Sequence, residues 1–535
     1  MSELNSIERE LNELARLIGR LQRGELKRPE FRSHSVHLGI YTQLQPDRYF
    51  VRLRVPLGIL TAAQLNALAD TTDRWADGEC HLTTRQGVEI HNLSLDGMLE
   101  ALAALAKVGL SSHESGGNTV RGIVVCPHAG QRETEPFDVT EYSALVNRHF
   151  LRHPDFQTLP RKIKIGFSCC AEDCTNTALQ DLGFQARTDG SDQRGFRVLV
   201  GGGTGALPRL AKELLDFLPA KDLVIFTEAF LRMFNRLGDR QNRRRSRVKF
   251  LVESLGLERL REEVLKEWDT LKTAGKKWPS VEPSGRRSVD DSLSSVRVSV
   301  PGGNLTSNQL RRLAALIEQH TLTLRTTPEQ DFLLRDIRPD QLACVKTALL
   351  EAGLVPRNTA LRLAACPGST ACSNAFTNSR ALAEVLSQRL ADAADVEPGQ
   401  PLRIRVSGCT NGCALHVMAD IGLEGLAQRH NGGLIPAYRL WLGGRTHRQY
   451  PRLATDLGII PARLVADCVS DVVSVYQRER RSDECLAVLL DRIGVEPFAV
   501  VMQRHQKSSD LRDLMTDVGD QAPYRGQNEA PAPTC

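Results

Sequence analysis

At residues 364–372 the chain reads Ala-Ala-Cys-Pro-Gly-Ser-Thr-Ala-Cys, and at residues 407–413 it reads Ser-Gly-Cys-Thr-Asn-Gly-Cys. Five residues separate Cys366 from Cys372, and three separate Cys409 from Cys413. Each pair lies in a glycine-containing stretch, whose backbone can fold tightly around a bulky inorganic group. Four thiolates placed this way can hold a [4Fe-4S] cluster.

Zinc is the main alternative for these four cysteines, and unligated structural cysteines are the remaining one. Zinc sites usually have shorter and more similar two-cysteine arms, so the spacing favours a cluster over zinc. A second group, Cys169, Cys170 and Cys174, is crowded into six residues. No fourth cysteine lies near it in sequence, so the pattern does not favour a second cluster there.

The composition is that of a multidomain globular protein. Of its 535 residues, 41% are hydrophobic and 25% are charged, close to the globular average. No apolar stretch is long enough to span a bilayer, and residues 1–20 form a charged amphipathic pattern without a signal-peptide core. The 13 cysteines fit a reducing compartment, and the net charge of +5 is too small to argue for nucleic acid. We therefore expect a cytoplasmic protein that binds neither membranes nor nucleic acid.

An internal repeat organises the chain. Residues 55–110 contain Val-Pro-Leu-Gly-Ile-Leu-Thr and Leu-Thr-Thr-Arg-Gln, and residues 300–354 contain Val-Pro-Gly-Gly-Asn-Leu-Thr and Arg-Thr-Thr-Pro-Glu-Gln. Both copies show alternating apolar residues around a stretch of helical period, which predicts strand, helix, strand, strand, helix. A larger α/β segment follows each copy, at roughly 119–270 and 362–500.

Basic residues are concentrated in the first half. The alignment of the two copies places Arg85 opposite Pro328, and Arg121, Lys162 and Lys164 lie between the copies. In a strand Lys162 and Lys164 would point to the same face, since side chains alternate. Two neighbouring ammonium groups repel each other unless an anion lies between them. The alternative for such residues is a solvated surface.

The cysteine pairs, followed closely by Asp-Ile-Gly-Leu at 420–423, resemble the sulfite and nitrite reductase family, which couples a [4Fe-4S] cluster to sirohaem. The resemblance runs from about Phe31 to Phe498. In that family the last cysteine of the second pair also ligates the sirohaem iron, which assigns this shared role to Cys413. The resemblance implies that the other three cysteines hold the cluster alone.

The resemblance also implies an anion site. Sirohaem carries several carboxylates and the substrates are anions, so the site needs many fixed positive charges. Arg52, Arg121, Lys162 and Lys164 match the residues that surround the bound oxyanion in the family. The two lysines are then proton sources, together with ordered water.

Further positions match residues beside the cofactors. Arg85 matches a residue that holds a sirohaem carboxylate, and Asn411 matches a residue next to the cluster. His91 falls near the same region, although a histidine at a strand end is usually structural. His81 departs from the family, which often has an arginine there for another sirohaem carboxylate.

The expected fold class is α+β, with a pseudo-twofold repeat of a small ferredoxin-like unit and a larger sirohaem and cluster-binding α/β domain. The predicted segments are a helical or extended arm (1–45), ferredoxin-like repeat 1 (46–110), sirohaem-binding domain 1 (111–270), a linker (271–295), ferredoxin-like repeat 2 (296–355), the [4Fe-4S] and sirohaem domain 2 (356–505) and a mobile tail (506–535).

The predicted activity is six-electron reduction of sulfite to sulfide, with nitrite reduction to ammonium as the alternative. Lys164 favours sulfite, because nitrite-reducing relatives tend to carry asparagine at that position. An alternative of another class is a tetrapyrrole-modifying or electron-transfer protein on the same fold. No flavin or nicotinamide signature is present, so a ferredoxin or a flavoprotein reductase subunit is the expected electron donor.

Overall fold

The computed structural model describes residues 3–282, 292–356, 361–390, 401–430, 433–506 and 514–524. These ranges form four five-stranded sheets with helices packed around them. The α+β class and the two-part repeat predicted from the sequence are confirmed. No helix in the described ranges is both long and apolar enough to cross a membrane.

The first segment contains two N-terminal helices and the first small repeat. The helix of the repeat begins at a capping box, in which the Thr61 hydroxyl accepts a hydrogen bond from the Gln64 N–H at 3.2 Å and the Gln64 side chain accepts one from the Thr61 N–H at 3.1 Å. The elements are α1 (Glu3–Gln22), α2 (Arg28–Ser35), β1 (Ile40–Thr42), β2 (Tyr49–Leu53), β3 (Ile59–Leu60), α3 (Ala62–Trp75), β4 (Glu79–Leu82), β5 (Val88–Leu93) and α4 (Met98–Lys107).

The first large domain follows. Along the chain its first three strands are parallel, and each of the last two pairs antiparallel with the strand before it. Its elements are β6 (Val124–Val125), α5 (Thr140–Phe150), β7 (Ile165–Ser168), β8 (Leu182–Thr188), β9 (Arg194–Val200), β10 (Lys212–Pro219), α6 (Leu223–Leu237), α7 (Val248–Leu255) and α8 (Leu257–Thr273).

The second small repeat has the same order of elements as the first. A capping box again begins the long helix, here between Thr306 and Gln309. The elements are β11 (Ser294–Ser299), β12 (Asn304–Thr306), α9 (Ser307–His320), β13 (Thr323–Thr326), β14 (Phe332–Ile337), α10 (Leu342–Glu351) and β15 (Val355–Pro356).

The two small repeats exchange strands. Strand β12 of the second copy pairs with β4 of the first, with Leu305 opposite Cys80. Strand β3 of the first copy pairs with β13 of the second, with Leu60 opposite Leu324. Helices α3 and α9 pack against each other, and one hydrophobic core contains residues of both copies. The two repeats therefore form a single folded unit.

The second large domain repeats the topology of the first. Strands β16, β17 and β18 are parallel, and β19 and β20 continue the sheet antiparallel. The elements are β16 (Leu361–Ala365), α11 (Ser379–Arg389), β17 (Leu402–Ser407), β18 (Ile421–His430), β19 (Gly433–Leu442), β20 (Thr455–Pro461), α12 (Val465–Glu479), α13 (Leu486–Ile493) and α14 (Glu496–Gln506).

The described part of the predicted mobile tail packs against this domain. Val518 is buried in its core, and the Asp517 carboxylate accepts a hydrogen bond from the Asn378 N–H at 2.7 Å. Residues 507–513 and 525–535 lie outside the described residues, as do residues 283–291 of the predicted linker.

The structure corrects one step of the repeat alignment. Gln86 and Gln330 occupy the same turn position, with φ of 59° and 60°. Their N–H groups donate to the Thr83 carbonyl at 3.0 Å and the Thr327 carbonyl at 3.1 Å, respectively. Arg85 therefore corresponds to Glu329 and not to Pro328. The alignment of the two copies was therefore wrong by one residue. The pairs Thr83-Thr84 and Thr326-Thr327 begin at different positions of the turn.

Candidate active site

A cavity that opens to solvent lies between the first small repeat and the two large domains, and its empty volume, including the part open to solvent, is about 1290 Å³. All the residues that the sequence predicts for catalysis and cofactor binding line it. They are Arg52, Arg85, Arg121, Lys162, Lys164, Cys366, Cys372, Cys409, Asn411 and Cys413. The structure thus brings together residues that are separated by more than 300 positions in the sequence.

The two cysteine pairs meet because they follow neighbouring parallel strands. Cys366 comes directly after β16, and Cys409 comes shortly after β17, so both loops lie at the same edge of the sheet. Cys366 and Cys409 are buried, Cys372 is half-buried and Cys413 is exposed at the cavity wall. The Cys366 sulfur accepts a hydrogen bond from the Gly408 N–H at 3.1 Å. This hydrogen bond favours the thiolate, but burial outweighs it and raises the pKa of Cys366.

The glycines in these loops are needed for the turns. Gly368 has φ of +67°, and a Cβ there would lie 2.5 Å from the Ser379 hydroxyl oxygen. Gly408 allows close backbone contact, since a Cβ there would lie 2.8 Å from the Thr377 carbonyl oxygen. The tight turns inferred from the glycine-containing motifs are therefore present in the structure.

Two arginines lie side by side on one wall of the cavity. Arg52 and Arg121 both donate to the Ser115 carbonyl, at 3.4 and 2.6 Å. The Arg52 guanidinium also forms an ion pair of 2.6 Å with Glu89. Burial raises the pKa of Glu89, but Arg52 and then His91 outweigh burial and hold that pKa well below its usual range. The carboxylate therefore stays charged and fixes Arg52.

Arg85 is held mainly by uncharged groups. Its Nη1 donates to the Gln180 amide oxygen at 3.0 Å, and its Nη2 donates to the Gly122 carbonyl. Its Nε is buried and has no hydrogen-bond partner among the described residues. Burial, and then the nearby Arg121, lower the pKa of Arg85 to about 9. A bound carboxylate would both satisfy the Nε and relieve this electrostatic strain.

Lys162 and Lys164 precede strand β7 and do not lie within it, but both line the cavity. Burial, followed by repulsion from Arg85 and Arg247, lowers the pKa of Lys164 to about 7. Arg247 is itself fixed by two hydrogen bonds to the Asp181 carboxylate, at 2.9 and 2.8 Å. Lys164 can therefore exchange a proton near neutral pH, as a proton donor requires.

Loops of the first half hold the second cysteine pair in place. The Thr84 hydroxyl donates to the Cys413 carbonyl at 2.7 Å, and the Thr204 hydroxyl donates to the Asn411 carbonyl at 3.2 Å. Asn411 lines the cavity between the two cysteines. These contacts fix the sequence-predicted cluster loop relative to the cation-bearing wall.

The two histidines differ in position. His81 lines the cavity, between the Asn304 side chain at 2.9 Å and the Gln330 amide at 2.9 Å. Burial lowers the pKa of His81 to about 4, so it is neutral near pH 7 and does not replace an arginine. His91 is not among the described residues of the lining, and its Nε2 lies 3.1 Å from the Glu89 carboxylate.

Sequence reasoning missed three residues of this site. Glu89 fixes Arg52, Arg247 raises the positive potential at Lys164, and Arg54 lines the cavity while donating to Asn147 at 2.7 Å. A signal for Glu89 was available, because a lone carboxylate within the apolar strand β5 needs a buried partner. Arg247 ends an arginine-rich run whose other arginines are exposed, so the sequence did not distinguish it from surface residues.

Two family models match most of the chain. The nitrite and sulphite reductase 4Fe-4S domain matches residues 116–272 and 357–509, and the nitrite/sulfite reductase ferredoxin-like half domain matches residues 41–108 and 286–352. The chain therefore belongs to the nitrite and sulfite reductase family, as the cysteine motifs indicated.

Curated relatives carry both substrate names. A ferredoxin–nitrite reductase of Synechococcus elongatus is 32% identical over 78% of this chain and 84% of its own length. Sulfite reductase [ferredoxin] 2 of Mycolicibacterium paratuberculosis is 30% identical over 77% of this chain and 78% of its own length. The solved structure of the Mycobacterium tuberculosis NirA protein has a TM-score of 0.78 at 23% identity, covering 91% of this chain and 97% of that one, and supports the fold.

Sirohaem and a [4Fe-4S] cluster are the cofactors of this family, and the residues present fit both. Four cysteines, an asparagine, arginines and lysines line the same cavity. Burial, followed by mutual repulsion among the cations, lowers the pKa values of Arg85 and Lys164. The buried Arg85 Nε has no partner among the described groups. An anionic tetrapyrrole supplies the missing negative charge.

Proposed function

We propose that this protein reduces sulfite to sulfide in a six-electron reaction, in the cavity that the four cysteines and four cations share. The observation that supports the proposal is the convergence of Arg52, Arg121, Lys162 and Lys164 on the same cavity as the cysteine loops. A tetrapyrrole-modifying or electron-transfer protein has no need of all four cations. An absorption spectrum of the purified protein tests this step: bound sirohaem supports reduction, and an intact cluster without sirohaem contradicts it.

In this proposal Cys366, Cys372 and Cys409 would hold the cluster alone, and Cys413 would help to hold both the cluster and the sirohaem. Cys413 is the most exposed of the four and lies at the cavity wall, as a shared ligand must. When bound, the two cofactors supply the electron-transfer chemistry. Arg85 holds a sirohaem carboxylate, and Asn411 orients the cluster loop.

The cations bind and polarise the substrate. Arg52 and Arg121 are fixed by Glu89 and by backbone carbonyls, so their charges are oriented before the anion arrives. They stabilise negative charge on departing oxygens. Lys162 and Lys164 deliver protons to those oxygens, and the lowered pKa of Lys164 makes its proton available near neutral pH.

Sulfite is the proposed substrate because Lys164 adds a positive charge to the pocket. Near neutrality sulfite is divided between its monoanion and its dianion, whereas nitrite is a monoanion, so an added ammonium group favours sulfite by Coulomb attraction. Nitrite is the second candidate, since several of the relatives are named ferredoxin–nitrite reductase.

The substrate test compares the specificity constants for sulfite and nitrite with one artificial electron donor. A higher value for nitrite overturns the sulfite assignment. The Lys164→Asn variant is expected to raise the nitrite-to-sulfite ratio several-fold, because it removes one charge near the anion. Lys346→Asn, at an exposed site on α10, is the matched control and should leave the ratio unchanged.

A ferredoxin is the proposed electron donor. The relatives named above include ferredoxin-dependent nitrite and sulfite reductases. Turnover with reduced ferredoxin should exceed turnover with a reduced flavoprotein reductase at equal concentration. The reverse result would assign the flavoprotein as donor.

A further inference from the structure

Three cysteines of the first large domain occupy positions that correspond to the cluster cysteines of the second. Cys126 directly follows β6 as Cys366 directly follows β16. Cys170 and Cys174 follow β7 with three residues between them, as Cys409 and Cys413 follow β17. The crowded group that lacked a nearby fourth cysteine in sequence thus gains Cys126 in the fold.

The spacing of these sulfurs suits one metal ion. The Sγ atoms lie 3.1 Å apart for Cys174 and Cys126, 3.4 Å for Cys170 and Cys174 and 3.9 Å for Cys126 and Cys170. A tetrahedral ion with zinc–sulfur bonds of about 2.3 Å places its thiolates about 3.8 Å apart. In a [4Fe-4S] cluster each thiolate binds a different iron, so the sulfurs lie farther apart.

The contrast with the cluster site is internal to the chain. Cys126, Cys170 and Cys174 have sulfurs that all lie within 4.8 Å of one another, and no three cysteines of the cluster site are grouped this closely among the described residues. The first-half loops also lack one cluster ligand. Six positions after Cys126 stands Arg132, whereas Cys372 stands six positions after Cys366. Arg132 instead forms an ion pair of 2.8 Å with Glu172.

A fourth thiol is at hand. Cys169 is buried, and its thiol lies near enough to that of Cys126 to affect its pKa. It is outside the group of three sulfurs that all lie within 4.8 Å of one another, so its side chain must turn toward them to ligate the same ion. Cationic groups surround the cluster of thiols: Arg325 donates to the Cys126 carbonyl at 3.4 Å, and Arg335 donates to the Pro127 carbonyl at 3.0 Å. Positive charge nearby stabilises thiolates, and soft thiolates select zinc among the common divalent ions that keep a tetrahedral geometry.

We propose that Cys126, Cys170 and Cys174, with Cys169 as the fourth ligand, bind one zinc ion. The ion has four thiolate ligands and no open position, so the site is structural. It ties the loop after β6 to the loop after β7, in the place where the second domain ties its loops with a cluster. Metal binding releases the thiol protons and involves no change in the oxidation state of sulfur.

The direct test is the metal content of the holoenzyme, produced without a metal-affinity tag and measured by elemental analysis. About one zinc per chain is expected besides the iron of the cofactors. Cys174→Ser should lose the zinc and keep the iron and the visible spectrum, while Cys344→Ser, at an exposed site on α10, should keep both. Cys169→Ser should weaken zinc retention against a chelator, and unchanged retention would remove Cys169 from the ligand set.

Two results would overturn the proposal. Iron in excess of one cluster and one sirohaem, without zinc, would show a second cluster. Absence of metal together with a mass-spectrometric disulfide among these cysteines would show an oxidised pair. If Cys174→Ser does not fold, the wild-type protein still decides the matter: an organomercurial thiol reagent should release zinc to an indicator dye, and no release would contradict the site.

Discussion

The two halves of the molecule have the same fold, but residues at corresponding positions carry different charges. In the first half Arg85 and Lys164 line an open cavity. Their counterparts in the second half are Glu329 and Arg403, which form an ion pair at 3.2 Å. Lys164 and Arg403 correspond because each donates its backbone N–H to an aspartate that precedes the next strand, at 2.9 and 2.8 Å. The charge at this position, positive for Arg85 and negative for Glu329, thus distinguishes the half with an open cavity from the half with a closed polar core.

Glu329 is the centre of that closed core. Its carboxylate lies 3.0 Å from Arg297, 3.2 Å from Arg362 and 3.5 Å from Arg405. Burial raises the pKa of Glu329, but Arg362, Arg297 and Arg403 outweigh burial and hold that pKa well below its usual range. A protein carboxylate thus neutralises these cations, whereas in the first half we propose that the anionic cofactor and substrate do so.

The largest effect is expected from Cys413→Ser, which should abolish activity because serine is a poor substitute for a soft thiolate shared by two cofactors. Cys170 is the corresponding cysteine of the first half, and the Cys170→Ser variant should keep the cluster iron and its absorption. The measurements are turnover and iron content. A normal sirohaem spectrum with full activity in Cys413→Ser, or loss of cluster iron in Cys170→Ser, would show that the two halves have been assigned the wrong way round.

Glu329→Gln should be strongly destabilising, since it removes the carboxylate that pairs with the buried Arg405 and the half-buried Arg362 and Arg403. Arg297 keeps its ion pair of 2.6 Å with Asp331. Breaking a buried ion pair from one side typically costs about 3–5 kcal/mol. Thermal or denaturant unfolding of the holoenzyme measures the loss. Asp340→Asn removes a carboxylate from an exposed ion pair of 3.3 Å with Arg338, and should cost under about 1 kcal/mol. Equal effects of the two changes would contradict the role of Glu329.

Lys162→Ala and Arg121→Ala should each lower turnover about a hundredfold or more, while the cluster is retained, because each removes a charge in the cavity that we propose stabilises the bound anion. Lys346→Ala and Arg312→Ala, at exposed helix positions, are the matched controls. Steady-state kinetics and the visible spectrum are the measurements. Turnover within a few-fold of the parent would show that Lys162 and Arg121 are solvated surface residues without a role in turnover.

The smallest effect is expected from Lys164→Arg, which gives the first half the guanidinium of Arg403. The pKa of Lys164 is lowered to about 7, and the carboxylates of a bound sirohaem would raise this pKa. Lys164 therefore loses its charge as the pH rises through 7 and above. Sulfite affinity of the wild type should therefore decline with rising pH more steeply than that of Lys164→Arg. The ratio of their KM values cancels the titration of sulfite itself. A ratio independent of pH would exclude Lys164 from anion binding.

The sequence predicted the repeat, the α+β class and the cysteine loops because each depends on local patterns: the spacing of the cysteines, the positions of the glycines and the periodicity of the apolar residues. It did not predict the exchange of β3 and β12, since these strands have two and three residues and pair with partners in the other copy. Cys126 was missed for the same reason, because only the parallel pairing of β6 and β7 brings it to Cys170 and Cys174. Glu329 was missed because a one-residue misalignment concealed its relation to Arg85.

The exchange of β3 and β12 also governs how this chain matures during synthesis. Strand β4 pairs with β5 on one side, but on the other side it lacks β12 until the ribosome has added Thr306. An uncovered sheet edge therefore persists while the whole first large domain is being made. Uncovered edges recruit other strands, and contacts between such distant residues form slowly. A nascent chain stalled before Asn304 should therefore depend on chaperones, and the two halves expressed as separate polypeptides should become soluble only when they are produced together.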